Sequence, residues 1–167
     1  MDSKELRAKQ APLKKKYLKE PGAAQTILHA EGSIGTNLGC RVETDNGMVE
    51  AGLHPFTGGD GSQACSGDML LQALVGCAGV TLNTVATAMG ITLKDATVRA
   101  EGSLDFRGTL GVSKEAAVGF ENIKLIFKLD TDAPQESIDK LIELTERYCV
   151  VYQTLQQSPE IVTEVRT

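Results

Sequence analysis

Short hydrophobic segments punctuated by glycine occupy the first third of the chain after a polar start. They span residues 26–34, 40–44 and 48–53, and the pair Asn46-Gly47 separates the last two. Asn-Gly between two such runs is a strong signal for a tight hairpin. Apolar and polar residues alternate further on, over 97–106 and 120–130, which is typical of strands with one wet face. These patterns predict an antiparallel meander, two later strands, and a closing strand over 161–166.

One stretch has no polar face at all. Residues 69–93 contain no charged side chain, and the run from Ser66 to Met89 predicts a helix with Ser66 or Asp68 as its cap. A membrane span is conceivable by length, but glutamine, asparagine, threonine and glycine within the run disfavour it. A helix that is apolar on all sides is buried on all sides. Because it would be about 36 Å long, one small sheet cannot cover it. We therefore expect a second subunit to cover the remaining face.

Two further helices differ in character. Residues 3–19 predict a charged, weakly amphipathic helix broken by Pro12 and ended by Pro21-Gly22, so residues 1–22 are interpreted as an extension and 23–167 as the domain. A helix that begins at Asp132-Ala133-Pro134 is the other. Its apolar stripe consists of Ile138, Leu141, Ile142, Thr145, Tyr148, Cys149 and Tyr152. Cys149 therefore lies on the buried stripe, near the end of the helix.

Composition and charge exclude some classes of function. The chain has 17 Lys and Arg against 22 Asp and Glu, a net charge of −5, with no tryptophan, three tyrosines and four phenylalanines. Such a protein repels a phosphate backbone on average and has few rings on which bases could stack, so nucleic acid is not an expected partner. The first ten residues, MDSKELRAKQ, contain no apolar signal core. We therefore expect a cytoplasmic protein whose cysteines stay reduced unless they do redox chemistry.

The candidate reactive groups are the four cysteines, Cys40, Cys65, Cys77 and Cys149. Their spacing does not favour a metal centre, although a mixed site of His54 and Cys65 stays open. A free cysteine is commonly a small buried hydrophobe. Cys65 could instead gain thiolate character beside a helix start, whereas Cys77 needs a positive group or a hydrogen-bond donor to become reactive.

Three motifs together suggest a family. They are SGDMLLQALVGC over 66–77, GFENI over 119–123 after an alternating strand, and Tyr148-Cys149 near the end of the last helix. In this order they resemble the OsmC/Ohr family over residues 24–167. The resemblance implies an α+β fold, in which antiparallel sheets wrap around a long central helix that carries a cysteine. It also implies an intertwined homodimer.

The same resemblance implies a function in oxidative stress. By position, Cys77 would be the peroxidatic thiol and Cys149 the resolving thiol in the reduction of organic hydroperoxides. An external dithiol would restore the pair, with no bound cofactor, no metal, no nucleic acid and no membrane. The alternative is a non-catalytic relative that binds a small apolar ligand and keeps both cysteines as core packing.

The chain departs from the pattern of peroxidase members at several positions. Ser66-Gly67-Asp68 stands where those members carry Pro-Glu, and Val150 stands where a proline often follows the resolving cysteine. Arg41 and Arg147 are the candidate sources of positive charge. Asp68 is a displaced carboxylate, and Cys65 is an additional thiol.

Overall fold

The computed structural model describes residues 1–35, 38–44 and 47–167. Its strands are β1 (Glu31–Ile34), β2 (Cys40–Thr44), β3 (Gly47–Gly52), β4 (Ala64–Cys65), β5 (Asp95–Ser103) and β6 (Asn122–Asp130). Its helices are α1 (Ser3–Lys19), α2 (Ser66–Met89), α3 (Phe106–Thr109), α4 (Gln135–Tyr148) and α5 (Val150–Gln156), with short 3-10 turns at Pro21–Ala24 and Pro55–Thr57. This is the α+β architecture expected from the sequence.

The first sheet has the strand order β1-β2-β3-β4. β1 to β3 form the predicted antiparallel meander, with Arg41 opposite Glu50 and Thr44 opposite Gly47. The pairing of β2 with β3 is therefore confirmed, while Asn46 of the predicted turn lies outside the described residues. β4 joins in parallel to β3 and leads directly into α2. All four residues of β1 are exposed, so this chain alone leaves the sheet largely uncovered.

The second sheet, β5 with β6, forms part of the core. The two strands pair antiparallel from Asp95 opposite Asp130 to Ser103 opposite Asn122. α2 packs against β5 and α4. A core cluster on α2 and α4 comprises Leu82, Val85, Ala86 and Leu141, against which Val98, Phe127 and Leu129 of the sheet are packed.

The bounds of α2 are confirmed, but its predicted cap is wrong. Ser66 and Asp68 are the first and third helical residues, so neither can occupy the cap position, which Cys65 holds without a side-chain hydrogen bond. The helix ends at Gly90, whose φ of 73° places it in the left-handed region that favours glycine.

Three other expectations are corrected. Residues 161–166 form no strand and are exposed, because no other strand of the described chain pairs with them. α1 continues through Pro12, since it is an exposed helix on which water can bind the carbonyl that proline leaves free. The last helix does not run through Cys149; it breaks there, and Tyr148 is 59% exposed.

By length and composition, α2 could cross a membrane, a test that the core helix of a soluble protein also passes. One side of it packs against α4 and β5, and 28% of its most apolar stretch is buried within the single chain.

Candidate functional site: a pair of cysteine thiols

Cys77 and Cys149 come together where α2 meets the junction of α4 and α5. α2 packs against both of these helices. Cys77 is half-buried in the middle of α2, and Cys149 is 1% exposed. Both are free thiols, and they lie close enough for each to shift the pKa of the other. The two residues that the sequence singled out are thus neighbours in space.

A break in the helix at Cys149 creates this contact. The backbone of Cys149 is extended, with φ −76° and ψ 109°, so α4 ends before it and α5 begins after it. Its own amide still donates to the carbonyl of Thr145, at 3.0 Å. The amides of Val150 and Val151, at the start of α5, lie near the sulfur of Cys77 and lower its pKa, because they favour the thiolate. Peptide groups in this position favour a negative charge.

The surroundings of Cys77 lower its pKa. Burial is the largest single influence and acts in the opposite direction, because it disfavours the charged thiolate. It is outweighed by the Val151 amide, the Cys149 thiol and the Val150 amide together, with a smaller lowering by Thr81. The Thr81 hydroxyl, one turn along the helix, donates its proton to the carbonyl of Cys77 at 2.8 Å. Cys77 is therefore the more readily ionised member of the pair.

The pKa of Cys149 moves the other way. Burial raises it most; the Tyr152 amide has the next largest effect and lowers it, and the neighbouring Cys77 raises it again. Two thiols in contact do not both ionise easily, because the second negative charge would lie beside the first. The arrangement thus favours a thiolate at Cys77 and a neutral thiol at Cys149.

An open cavity of about 490 Å³ lies beside the pair. Leu74, one turn before Cys77, and Tyr152, one turn after Cys149, both line it. Burial raises the pKa of Tyr152, and the Glu146 carboxylate raises it further. The remaining wall consists of the apolar residues Leu70, Phe120, Ile123, Leu125 and Leu155 and the polar residues Asn122, Glu146 and Gln156; neither Cys77 nor Cys149 is part of it. The cavity could hold the organic part of a small molecule with a polar end.

The predicted supporting residues lie elsewhere. Arg41 pairs with Glu50 across two exposed strands, at 3.4 Å. Arg147 lies over the ring of Tyr148, 5.6 Å from its centre, and lines a shallow groove with Cys149. In the part of the chain that the structure describes, neither arginine is among the groups that act most strongly on Cys77.

The other two predicted residues are near the start of α2. Asp68 is exposed on its first turn. Cys65 and His54 line a second cavity of about 370 Å³, which shares Leu70 and Phe120 with the first. Among residues 1–35, 38–44 and 47–167, no three His, Cys, Asp or Glu side chains are placed to hold a metal ion.

Sequence reasoning missed the donors that reach Cys77. Thr81 could have been found, since a residue four positions after Cys77 lies on the same helix face. The amides of Val150 and Val151 could not, because they are available only through the break at Cys149, and Val150 is not the proline that would have signalled it.

The sequence profile described as OsmC-like protein matches residues 59–164 of the chain. Comparison with curated protein sequences finds no match. Solved structures do match. An OsmC-like protein from Mycoplasma pneumoniae is 17% identical, with a TM-score of 0.68 over 80% of this chain and 90% of that one.

Two other similar structures carry functional descriptions of their own. One is an organic hydroperoxide resistance protein from Elizabethkingia anophelis, 18% identical, with a TM-score of 0.63 over 80% of this chain and 92% of that one. The other, from Legionella pneumophila, is described as an organic hydroperoxide resistance protein and predicted redox protein. It is 17% identical, with a TM-score of 0.62 over 80% and 93% of the two chains. At these identities the likeness establishes the fold alone.

Proposed function

Because the chain belongs to the OsmC-like protein family, we propose that it reduces organic hydroperoxides, with Cys77 as the peroxidatic thiol and Cys149 as the resolving thiol. The observation that carries the proposal is the contact between these two thiols, in which one pKa is lowered and the other raised. The thiolate is the nucleophile in thiol chemistry, and a resolving thiol must be close by. Two proteins of similar fold are described as organic hydroperoxide resistance proteins, which supports this choice of substrate class.

The reaction proceeds in two steps on the protein. The Cys77 thiolate attacks one oxygen of the hydroperoxide, the O–O bond breaks, and the other oxygen leaves with a proton as the alcohol. Cys77 is then a sulfenic acid. The Cys149 sulfur attacks it, an S–S bond forms, and water leaves with the thiol proton. An external dithiol reduces this disulfide by thiol exchange and is itself oxidised to a disulfide, so no bound cofactor is required.

The cavity beside the pair supports an organic substrate over hydrogen peroxide alone. Leucine, isoleucine and phenylalanine side chains form much of its wall, with polar groups from Asn122, Glu146 and Gln156, and its volume of about 490 Å³ is within the usual range for small-molecule sites. Leu74 and Tyr152 bring the cavity within one turn of both cysteines along their helices. We expect the organic group to occupy this space and the peroxide to point towards Cys77.

The proposed working form is a cytoplasmic homodimer. α2 leaves one side exposed, including Val80 at 70%, and the first sheet is uncovered on its own chain. A second copy would bury both surfaces.

The decisive experiment is a peptide map of the purified protein before and after one equivalent of cumene hydroperoxide. We expect a new disulfide between Cys77 and Cys149, and multiple turnover once a dithiol is added. Cys77→Ser is expected to abolish turnover, and Cys149→Ser to stop the reaction at the sulfenic acid, which dimedone traps. Cys40→Ser, in β2 away from the pair, is the matched control. Full turnover by Cys77→Ser would refute the proposal.

The cavity favours a second candidate, the binding of a small apolar ligand without turnover. In that case both thiols of the native protein would be inert towards hydroperoxide and iodoacetamide. An apolar fluorescent probe would bind the wild type and Cys77→Ser equally, and Leu74→Trp, which fills the cavity, would lose the probe.

A further inference from the structure

Gln153 bridges the break between α4 and α5. Its side-chain amide donates to the backbone carbonyl of Glu146, at 2.9 Å, although the two residues are seven positions apart. Its own backbone amide donates to the carbonyl of Cys149, also at 2.9 Å. One residue therefore makes hydrogen bonds to both sides of the break.

The Glu146 carbonyl is the acceptor that an unbroken helix would assign to Val150. In an α-helix each amide bonds to the carbonyl four residues earlier, so Val150 would bond to Glu146 and Val151 to Arg147. In the described chain neither of these bonds is present. The Gln153 amide takes the place of Val150 at the Glu146 carbonyl, so the amides of Val150 and Val151 are available to the nearby Cys77 sulfur, whose pKa they lower.

No proline enforces this break, since Val150 follows Cys149 directly. A straight helix through Cys149 would satisfy the same backbone groups internally. It would also remove both amide donors from Cys77. Something other than backbone restriction must therefore favour the broken form, and the Gln153 bond is placed to do so.

We propose that Gln153 is a positioning residue: by occupying the Glu146 carbonyl it holds the helix broken at Cys149, and so keeps two backbone amides directed at the reactive sulfur of Cys77. For catalysis this inference rests on the proposed function, but its effect on the Cys77 thiol is independent of any substrate.

The test variant is Gln153→Met, which keeps the length of the side chain and removes the donor. The readout is the pH profile of Cys77 alkylation by iodoacetamide, in which the sulfur displaces iodide and forms a thioether, followed by mass spectrometry. Because fewer donors stabilise the thiolate, we expect alkylation at pH 7 to slow by about three- to tenfold and the profile to move to higher pH. Gln157→Met, at the exposed end of α5, is the matched control and should leave the profile unchanged.

Val150→Pro in the Gln153→Met background is the rescue. Proline is favoured as the first residue of a helix, and it requires the preceding residue to be extended, as Cys149 already is. It restores the break and the Val151 donor while removing the Val150 amide. We therefore expect partial recovery of the alkylation rate. A general gain in folding stability, without the break at Cys149, would not produce this recovery.

The surrounding ionisable groups do not account for a shift of the alkylation profile. Among them Cys149 has the strongest effect on the Cys77 pKa, and it is present in every variant. The strongest influences on that pKa do not include the charged residues of the neighbouring elements, which are Glu146 and Arg147 on α4 and Arg99 and Glu101 on β5. An unchanged alkylation profile in Gln153→Met, or no recovery on adding Val150→Pro, would overturn the role of Gln153. If Gln153→Met shifts the alkylation profile as expected but neither the wild type nor any variant turns over hydroperoxide, the proposed function alone is refuted.

Discussion

The pKa values of two neighbouring cysteines are shifted in opposite directions. Burial raises the pKa of Cys149, whereas at Cys77 nearby hydrogen-bond donors outweigh burial and lower the pKa. Cys77 receives hydrogen bonds from two backbone amides and from the Cys149 thiol, whereas Cys149 is almost fully buried and faces the sulfur of Cys77. Cysteine reactivity in many proteins depends on an adjacent positive charge. Within the described chain, hydrogen bonds from neutral groups have this role at Cys77, and the arginines predicted from the sequence pair with Glu50 or lie over Tyr148.

This difference predicts how alkylation depends on pH. A lowered pKa keeps Cys77 ionised at lower pH, so its alkylation should reach a plateau at lower pH than that of free N-acetylcysteine. Cys149→Ala removes one donor and should move the Cys77 profile to higher pH, whereas Cys149→Ser keeps a hydroxyl donor and should move it less. The rates are measured by quantitative mass spectrometry of the Cys77 peptide. Coincident profiles for Cys77 and the free thiol would contradict the lowered pKa.

Phe120, just before β6, links the second sheet to the start of α2. Its ring lies on Gly102 of β5, where an added Cβ would stand 2.6 Å from the ring, and close to Gly67 on α2. The same ring lines both cavities. Close packing therefore requires glycine at position 102, whereas an added Cβ at Gly67 would stand 3.4 Å from the ring, an ordinary contact. The position of the ring shapes the space beside the cysteines.

Gly102→Ala should displace the Phe120 ring and lower the free energy of unfolding by about 1–3 kcal/mol, as overpacking commonly does. Urea unfolding followed by circular dichroism gives this value. Gly119→Ala, where an added Cβ has no neighbour within 4 Å, is the control and should cost little. If Gly102→Ala were as stable as the wild type, the ring would not be fixed by this contact.

The sequence predicts those elements whose signals are local. The run from Ser66 to Met89, followed by Gly90, predicts both ends of α2, and the glycine-punctuated segments predict the pairing of β1 to β3. The break at Cys149 has no local signal, because Val150 has no special backbone restriction and the break depends on contacts with Gln153 and Cys77. The spacing along α4 could place Cys149 on the buried stripe. It could not show that Val150 and Val151 would become donors to Cys77.

At the scale of the whole molecule, the chain exposes more surface than a monomer of its mass should. Its accessible area is 12789 Å², whereas a folded monomer of 17.8 kDa is expected to expose about 8,000 Å². The excess includes β1, residues 161–166 and one side of α2. Obligate interfaces bury thousands of Å². In the proposed dimer, the second copy could supply the strand partner that residues 161–166 lack in the single chain.

The exposed side of α2 allows a direct test of the proposed dimer. Val80 is 70% exposed, and an added Cβ on the neighbouring Gly76 would meet nothing within 4 Å in the single chain. In a monomer, Val80→Asp would therefore be nearly neutral. In a dimer it would bury an unpaired carboxylate at the contact between subunits, which costs several kcal/mol. We expect light scattering after size-exclusion chromatography to give a dimeric mass for the wild type and dissociation or loss of soluble protein for Val80→Asp. Leu18→Asp on α1, 85% exposed, is the control and should remain dimeric. A monomeric wild type that melts at the same temperature as Val80→Asp would show that α2 is not the interface.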